Sequence, residues 1–567
     1  MTEQFNLLQK HFDTALESPD GIKKLRELIL TLAMQGKLVK QDPNDQPASE
    51  LLKEIQAEKE RLIKEGKIKK QKELPPIKTE EVPYEVPKGW VWCKYDDVAV
   101  LQHGYQFREY DFIPNGIPVI KITQCKPNGV LDLRKCDFID SKRVSEFKDI
   151  LIHKGDLLMA LTGGTLGKVT RVRQDYGMVV QNYRVGKFIS NEIVLDMNFL
   201  EIILLSNLFQ NLVKVKINQN AQPNIGKDNI ENLPIPLPPL AEQKRIVAKI
   251  NELMALCDKL ESQHKARNEK RLALHTSAIN RLLTAADKKE FDISWQFIAH
   301  HFDSLYSVKE NVAELKKAIL TLAMQGKLVK QDPKDQPASE LLKEIQAEKE
   351  RLIKKEGLRT TANPIISEDE KYLKTPVEWE FVRLGNIAKF IDYRGKTPIK
   401  VSVGVPLITA KNIRFGYIDR EPYEYITEED YGSWMTRGIP KIGDLLFTTE
   451  APLGNIAIID MKERFALAQR AICFQLHIAE MANFVRYLIM SDVFQEQLLI
   501  NATGMTAKGI KSSRLKEVTI PLPPLAEQER IVAKIDELMA LCDKLENQIN
   551  QATAKQTALF DAVLAKV

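Results

Sequence analysis

Cysteine is scarce: six residues in a chain of 567, with no Cys-x-x-Cys pair. That excludes a disulfide framework and argues against a zinc site of the common spacing. Also missing is any run of eighteen apolar residues, so no membrane-spanning helix is expected. The opening MTEQFNLLQKHFDTALESPDG has no basic start followed by an apolar stretch. Neither a secretory signal nor an anchor is visible, and a cytoplasmic location is expected. The phosphate-binding pattern G-x-x-x-x-G-K-[ST] does not occur. Arg394-Gly395-Lys396-Thr397 has Phe390 where the first glycine should fall, and Leu166-Gly167-Lys168 is followed by Val169 and has Thr162 at the first position. No carboxylate stands at ligand spacing around His300-His301, whose counterpart is Lys10-His11, so that pair reads as structural. Charge of one sign is lacking too: 82 basic against 77 acidic residues leave +5, which permits nucleic-acid binding without arguing for it.

What the chain does have is repetition. Residues 29–64 return at 319–354 with one change in 36 positions, Asn44 to Lys334. Residues 235–261 return at 520–546 with two changes in 27, Lys244 to Glu529 and Asn251 to Asp536. The stretches between differ almost everywhere. They share sparse landmarks in one order: Trp90 and Trp379, a Gly-Asp-Leu-Leu turn at Gly155 and Gly443, Leu-Gly pairs at Gly167 and Gly454, and Gln181 and Gln469. Five regions follow: a helical constant region at 1–74, a variable head at 75–234, a central helical constant region at 235–364, a second head at 365–519 and a helical constant region at 520–567.

The constant regions read as helices. Ile246, Ile250, Leu253, Cys257 and Leu260 step by 4, 3, 4, 3, as do Ile531, Ile535, Leu538, Cys542 and Leu545. This spacing predicts a coiled-coil seam with both cysteines as small apolar residues in the core. A helix from Leu240 to about Ala285 would be a rod roughly 65–70 Å long. In 1–74, one helix should stop at Gly36 and a second should begin at Ser49. The heads, with short β-branched runs at 117–122, 178–180, 405–408 and 455–459, read as α+β globules, with helices at 200–213 and 484–499. Because the first constant region lacks a downstream rod until 520–567, the first and last fifty residues are expected to meet and close the chain with pseudo-twofold symmetry.

Near-identical helices carrying unlike heads point to one kind of partner bound twice and two different ligands. Two heads on a rod suit a duplex with its repeat of about 34–36 Å. Over 84–234 and over 373–519 the charge is the same, 19 basic and 17 acidic residues. Clustering says more. Arg394, Lys396 and Lys400 surround Tyr393; Lys411, Asn412 and Arg414 form a second group; Lys508, Lys511, Arg514 and Lys516 a third; and the first head has Arg171 with Arg173 and Lys214 with Lys216. Such groups neutralise phosphates. Gln102, His103, Gln106 and Arg108, then Gln181, Asn182 and Arg184, then Gln222 and Asn224, with Gln469, Arg470 and Ser512 in the second head, could read base edges. A basic run on a solvated face is the plainer alternative for each.

The duplicated ILTLAMQGKLVKQ and PLPPLAEQ-x-RIVAKI-x-ELMALCDKLE segments, with the Gly-Asp-Leu-Leu landmarks, resemble the specificity (S) subunit of type I restriction-modification systems over essentially the whole chain. The resemblance implies an α+β protein in which two target recognition domains are separated by long antiparallel coiled-coil helices from the two repeated regions. Each recognition domain would read one half of a split, asymmetric DNA target. It implies two modification (M) subunits bound on the helices, using S-adenosylmethionine to methylate adenine, and restriction (R) subunits using ATP and Mg²⁺. This chain itself would hold no cofactor and no metal and catalyse nothing. It lacks the Asn-Pro-Pro-aromatic or Asp-Pro-Pro-aromatic segment that such methyltransferases need. The competing reading is a coiled-coil scaffold whose heads bind ligands other than DNA.

Overall fold

Most of the repeated sequence forms helices, and these frame two α+β heads. The computed structural model describes residues 20–65, 75–126, 129–191, 193–217, 223–356, 365–393, 398–421, 424–504 and 508–564. The chain divides into two compact units, Met1–Ala266 with Thr553–Val567, and Arg267–Ala552.

In the first unit, α1 (Gly21–Met34) ends where Gly36 takes φ +66°, with Lys37 N–H returning to Leu32 O at 2.9 Å. A Cβ at Gly36 would lie 2.4 Å from Pro87 Cγ and 3.1 Å from Trp90 Cζ2, so glycine is needed there for the turn and for the approach of the Trp90 ring. Helix α2 (Ala48–Lys64) follows, burying Leu51 and Ile55. The head opens with β1 (Val91–Lys94) and closes with β9 (Pro234–Leu237), an antiparallel pair in register Val91↔Leu237 that brings its two ends together.

Between them lie β2 (Ala99–His103), β3 (Ile117–Ile120), β4 (Asp137–Ile139), β5 (Leu157–Ala160), β6 (Val169–Arg171), β7 (Val180–Gln181) and β8 (Val185–Ser190). They form a four-stranded antiparallel sheet β2-β8-β5-β6 and a three-stranded sheet β4-β3-β7 in which β3 and β7 run parallel. The strand expected at 178–180 is shifted to β7, and Met178 is exposed. The single helix expected over 200–213 is two, α3 (Met197–Leu205) and α4 (Asn207–Lys216). Ser206 breaks them: its Oγ donates to Ile203 O at 2.6 Å and accepts from Phe209 N–H at 3.3 Å, ending one helix and capping the next.

Helix α5 (Leu240–Thr284) is 45 residues long, about 68 Å at 1.5 Å per residue. Its apolar stripe is shared between partners. Ile246, Ile250 and Cys257 are buried in one cluster with Ile29 and Ala33 of α1, whereas Leu260 joins Phe560, Leu559, Ile22 and Leu25. The two ends of the described chain therefore meet within this unit, where Lys24 Nζ pairs with Asp561 at 2.5 Å, while Arg26 ties α1 to α5 through Asp258 and Glu261 at 2.5 and 2.9 Å.

The second unit repeats the plan. It contains α6 (Lys288–His300), α7 (Lys309–Met324) and α8 (Ala338–Glu356), and Gly326 again has φ +66° with Pro376 Cγ 2.4 Å from where a Cβ would stand. Strands β10 (Glu380–Arg383) and β18 (Thr519–Leu522) clasp the head. Inside it, β11 (Ala388–Asp392), β12 (Val405–Ile408), β13 (Glu424–Ile426), β14 (Leu445–Thr448), β15 (Ile456–Ile458), β16 (Ala466–Leu467) and β17 (Ala471–Leu476) pair as β11-β17-β14-β15 and β13-β12-β16, the same order as in the first head. The stretch 484–499 is again split, into α9 (Ala482–Met490) and α10 (Asp492–Ile500), at Ser491. Lys316 pairs with Asp543 and Glu546 at 2.7 and 3.0 Å, the counterpart of Arg26, on α11 (Leu525–Leu564).

Internal packing accounts for part of the repeat identity. Arg245 pairs with Asp45 at 2.6 Å and Arg530 with Asp335 at 2.5 Å, while Gln41 and Gln331 donate to Glu242 and Glu527. No described helix is long and apolar enough to cross a membrane.

Candidate nucleic-acid interface

The heads share a hydrogen-bond frame that their sequences conceal. Gly155 and Gly443, at φ +99° and +90°, lie in the turns two residues before β5 and β14, donating to Val172 O at 2.8 Å and Ile459 O at 2.9 Å. Gly167 and Gly454 donate to Ala160 O and Thr448 O at 2.9 Å each. Their own carbonyls accept from Gln210 and Gln495 Nε2 at 3.1 and 3.0 Å. These turns hold the loops leaving the two sheets.

At the carboxyl ends of the parallel strands, four segments are tied together by main-chain bonds. Asn182 N–H donates to Ile120 O at 3.0 Å, and Ala468 N–H to Ile408 O at 2.9 Å. Leu161 N–H reaches Arg184 O, and Thr449 N–H reaches Arg470 O, both at 2.9 Å. Ile225 N–H closes on Leu161 O at 3.1 Å, and Ile510 N–H on Thr449 O at 3.0 Å. In the first head the loop after β2 joins them, since Tyr105 N–H donates to Gln181 O at 3.1 Å and Tyr183 N–H to Tyr105 O at 2.9 Å. The backbone positions match, but the side chains do not: Lys121 stands where Thr409 does, Thr123 with Lys411, Thr162 with Glu450, Tyr183 with Gln469, Asn224 with Gly509. Among the polar positions of the cluster, Arg184 and Arg470 are the matched pair that carries the same residue, beside the apolar pairs Ile120 with Ile408 and Ile225 with Ile510. Matching Gln181 with Gln469 is therefore corrected by two residues. Gln181 is the counterpart of Leu467, a buried strand residue.

Several candidate contacts turn out to be internal braces. Gln181 is 0% exposed, with Nε2 donating to Val185 O at 2.6 Å and Gln102 O at 2.9 Å. Asn182 is buried and its Oδ1 accepts from Arg184 N–H at 3.2 Å. Tyr393, 4% exposed, donates from its hydroxyl to Gly438 O at 2.6 Å. Asn412, 2% exposed, accepts from Thr409 N–H and donates to Asp419 O at 3.2 Å. These buried groups spend their hydrogen bonds on the main chain of their own head, although the Gln181 Oε1 has no partner among the described residues.

Arg171 and Arg173 both pair with Glu201, at 3.8 and 2.6 Å, beside the start of β5 and thus at the opposite end of the sheet from the loop cluster. Gln102 is half-buried and donates to Asp149 O at 2.6 Å. His103 has Nδ1 3.2 Å from Tyr183 O, and burial holds its pKa below the usual histidine value, so the ring is neutral at pH 7. Arg414 is paired with Asp419 at 3.1 Å.

The remaining candidates face solvent. Gln106, Arg108, Arg184 and Asn224 are exposed on the first head, the last two within the loop cluster, and Lys214 and Lys216 end α4. In the second head Lys411, Gln469 and Arg470 line one cleft of about 170 Å³ with Lys400 and Ala451. Lys508, Lys511 and Arg514 are exposed and Ser512 is half-buried, on and beside the short helix Ser512–Glu517. Gln222, Arg394 and Lys396 lie outside the described residues.

Sequence reasoning missed Lys121, Thr123, Tyr105, Tyr183, Thr162 and Glu450, all at the cluster. Lys121 pairs with Asp137 and lies 4.6 Å from the Phe112 ring centroid. Only their proximity in the fold marks them; isolated Thr or Tyr residues in a loop carry no pattern.

The clusters offer exposed cations, amides and hydroxyls on a rigid frame, suited to hydrogen bonding with a polar polymer. Among the described residues no group of three or more His, Cys, Asp or Glu is placed to hold a metal ion. Burial pushes the thiols of Cys93, Cys125, Cys257, Cys473 and Cys542 upward, away from nucleophilic behaviour.

Residues 87–269 and 376–553 match the family described as Type I restriction modification DNA specificity domain. Among curated relatives, the specificity subunit of the type I restriction enzyme EcoAI of Escherichia coli is 34% identical over 96% of this chain and 93% of its own length. That of EcoEI, also from Escherichia coli, is 32% identical with the same coverage of both chains. The crystal structure of an HsdS subunit from Thermoanaerobacter tengcongensis matches with a TM-score of 0.41 and 16% identity, covering 86% of this chain and 99% of that one.

Proposed function

The chain belongs to the type I restriction-modification DNA specificity family, and from that premise we propose that each of its heads reads one half of a split, asymmetric duplex target through its loop cluster. The observation that carries this reading is the same strand order and three shared main-chain tethers in two heads whose loop side chains differ. A shared frame with unlike tips is what two unlike half-sites require, because phosphate contacts position a protein and base contacts specify sequence.

The repeated helices are the docking surface for two M subunits, and through them for R subunits. They form an antiparallel coiled coil with pseudo-twofold symmetry that sets the unread spacer. Catalysis belongs to those partners, with S-adenosylmethionine in M and ATP with Mg²⁺ in R, all working in the cytoplasm. The test is reconstitution. The chain with an M subunit should methylate adenines in a bipartite site, while the chain alone binds duplex DNA with strong salt dependence and modifies nothing. Binding that ignores salt and sequence would favour the scaffold reading.

A further inference from the structure

Arg184 and Arg470 occupy one position in the two heads, at the exit of β7 and β16, where the main-chain carbonyl of each accepts from the loop after β5 or β14 at 2.9 Å. Residue spacing does not reveal the match, because it depends on a two-residue shift from the glutamine landmark. Each guanidinium is held in the same way by a different neighbour. Arg184 donates from Nε to Tyr183 Oη at 2.8 Å and lies 5.3 Å from that ring centroid. Arg470 Nε stands 2.5 Å from Glu450 Oε1. In both, the terminal Nη1 and Nη2 edge has no partner among the described residues, and both side chains are exposed.

The second head adds backbone strain at the same place. Among the described residues only Ala451, at φ +48°, and Arg470, at φ +73°, are non-glycine residues in the left-handed region, and both line the same cleft. Strain of this kind persists where the surroundings over-determine a conformation, and it clusters at binding sites.

Resting on the proposal that the heads bind DNA, we infer that Arg184 and Arg470 are the equivalent guanine-reading residues of the two heads, each presenting its Nη edge to O6 and N7 in the major groove. A fork of two parallel N–H donors matches that pair of acceptors. Glu450 argues for a base over a phosphate at Arg470: a carboxylate at 2.5 Å cancels the charge that a phosphate contact would use, but it fixes the direction of the fork.

The test is selection of bound sequences from a random duplex library by the full chain, unaltered and as Arg470→Ala, Arg470→Lys and Arg184→Ala, with thermal melting to verify folding. A salt series on the best duplex completes it. The unaltered chain should select a motif with a G·C pair in each half. Arg470→Ala and Arg470→Lys should both flatten one such position in a single half-site, lowering preference there roughly five- to a hundredfold, and Arg184→Ala should do so in the other half. The logarithmic salt slope should change by less than one.

Retention of specificity by Arg470→Lys would show that a point charge suffices and overturn the forked contact, and a loss equal on all sequences with the slope reduced by about one would make it a phosphate contact and overturn the inference. Variants that select the unaltered motif would overturn it as well. If the unaltered chain enriched no motif, the recognition reading itself would fall, a result distinct from either.

Discussion

Gly454 shows how narrowly a single position can be set. It lies at φ +90°, and a Cβ there would stand 2.5 Å from Gln495 Oε1, the side chain whose Nε2 holds the Gly454 carbonyl. Gly443 has the same φ of +90° with nothing within 4 Å of a Cβ. Alanine at 443 should cost about 1 kcal/mol for the backbone alone, and alanine at 454 about 1–3 kcal/mol more, because the glutamine bonds are lost as well. Denaturant unfolding of the two variants measures the difference; equal losses would show that Gln495 braces nothing.

His477 carries a pH signature. Burial, with the Lys349 charge second, lowers its pKa from 6.5 to about 4. Above pH 6.5 the ring is neutral folded or unfolded and contributes nothing to the pH dependence. Between 6.5 and 4 only the unfolded chain takes up the proton, so stability falls as pH falls through that window, by at most on the order of 3 kcal/mol. His477→Gln should lose less stability than the unaltered chain between pH 7 and pH 4.5, and parallel losses would contradict this.

At this scale the sequence was legible where backbone chemistry dictated the residue, as at Gly36, Gly155 and Gly454. It was opaque where burial decided. Gln181 and Asn412 look like base readers until their amides are seen closing their own loops.

Among the elements, the long helices were the most readable, because their 4-3 spacing and proline-marked starts are local signals: Leu240–Thr284 ends within a residue of expectation. What spacing could not say is what each stretch of the stripe packs against. Ile246 and Cys257 face α1 and the head, and only Leu260 reaches the far end of α11. The helices at 200–213 and 484–499 were misread as single because their apolar residues run on through Ser206 and Ser491, and serine's capping bond overrides that continuity.

Phe560 is the fully buried residue by which the last turns of α11 join α1 and α5. Phe560→Ala should cost about 3–5 kcal/mol in the stability of that junction. Hydrogen exchange should then rise in 21–34 and 553–564 while the second head stays protected. Uniform change across the chain would mean that the junction is not a local unit.

For the whole molecule, duplication was plain in the sequence, and the family could be named from it. The equivalence of the two loop clusters could not, because it rests on main-chain bonds between segments far apart in the chain, with offsets that drift between 285 and 288 from one loop to the next. That drift is tolerated by a frame whose register is fixed by glycine turns and strand pairing, so the tips are free to differ. Two tips built alike and furnished differently should read independently.

The direct measurement of this is replacement of residues 84–234 by the corresponding head of a relative, followed by sequencing of methylated adenines in cells carrying the complete system. One half-site should change while the other half and the gap between them persist. A change in both halves, or in neither, would contradict it.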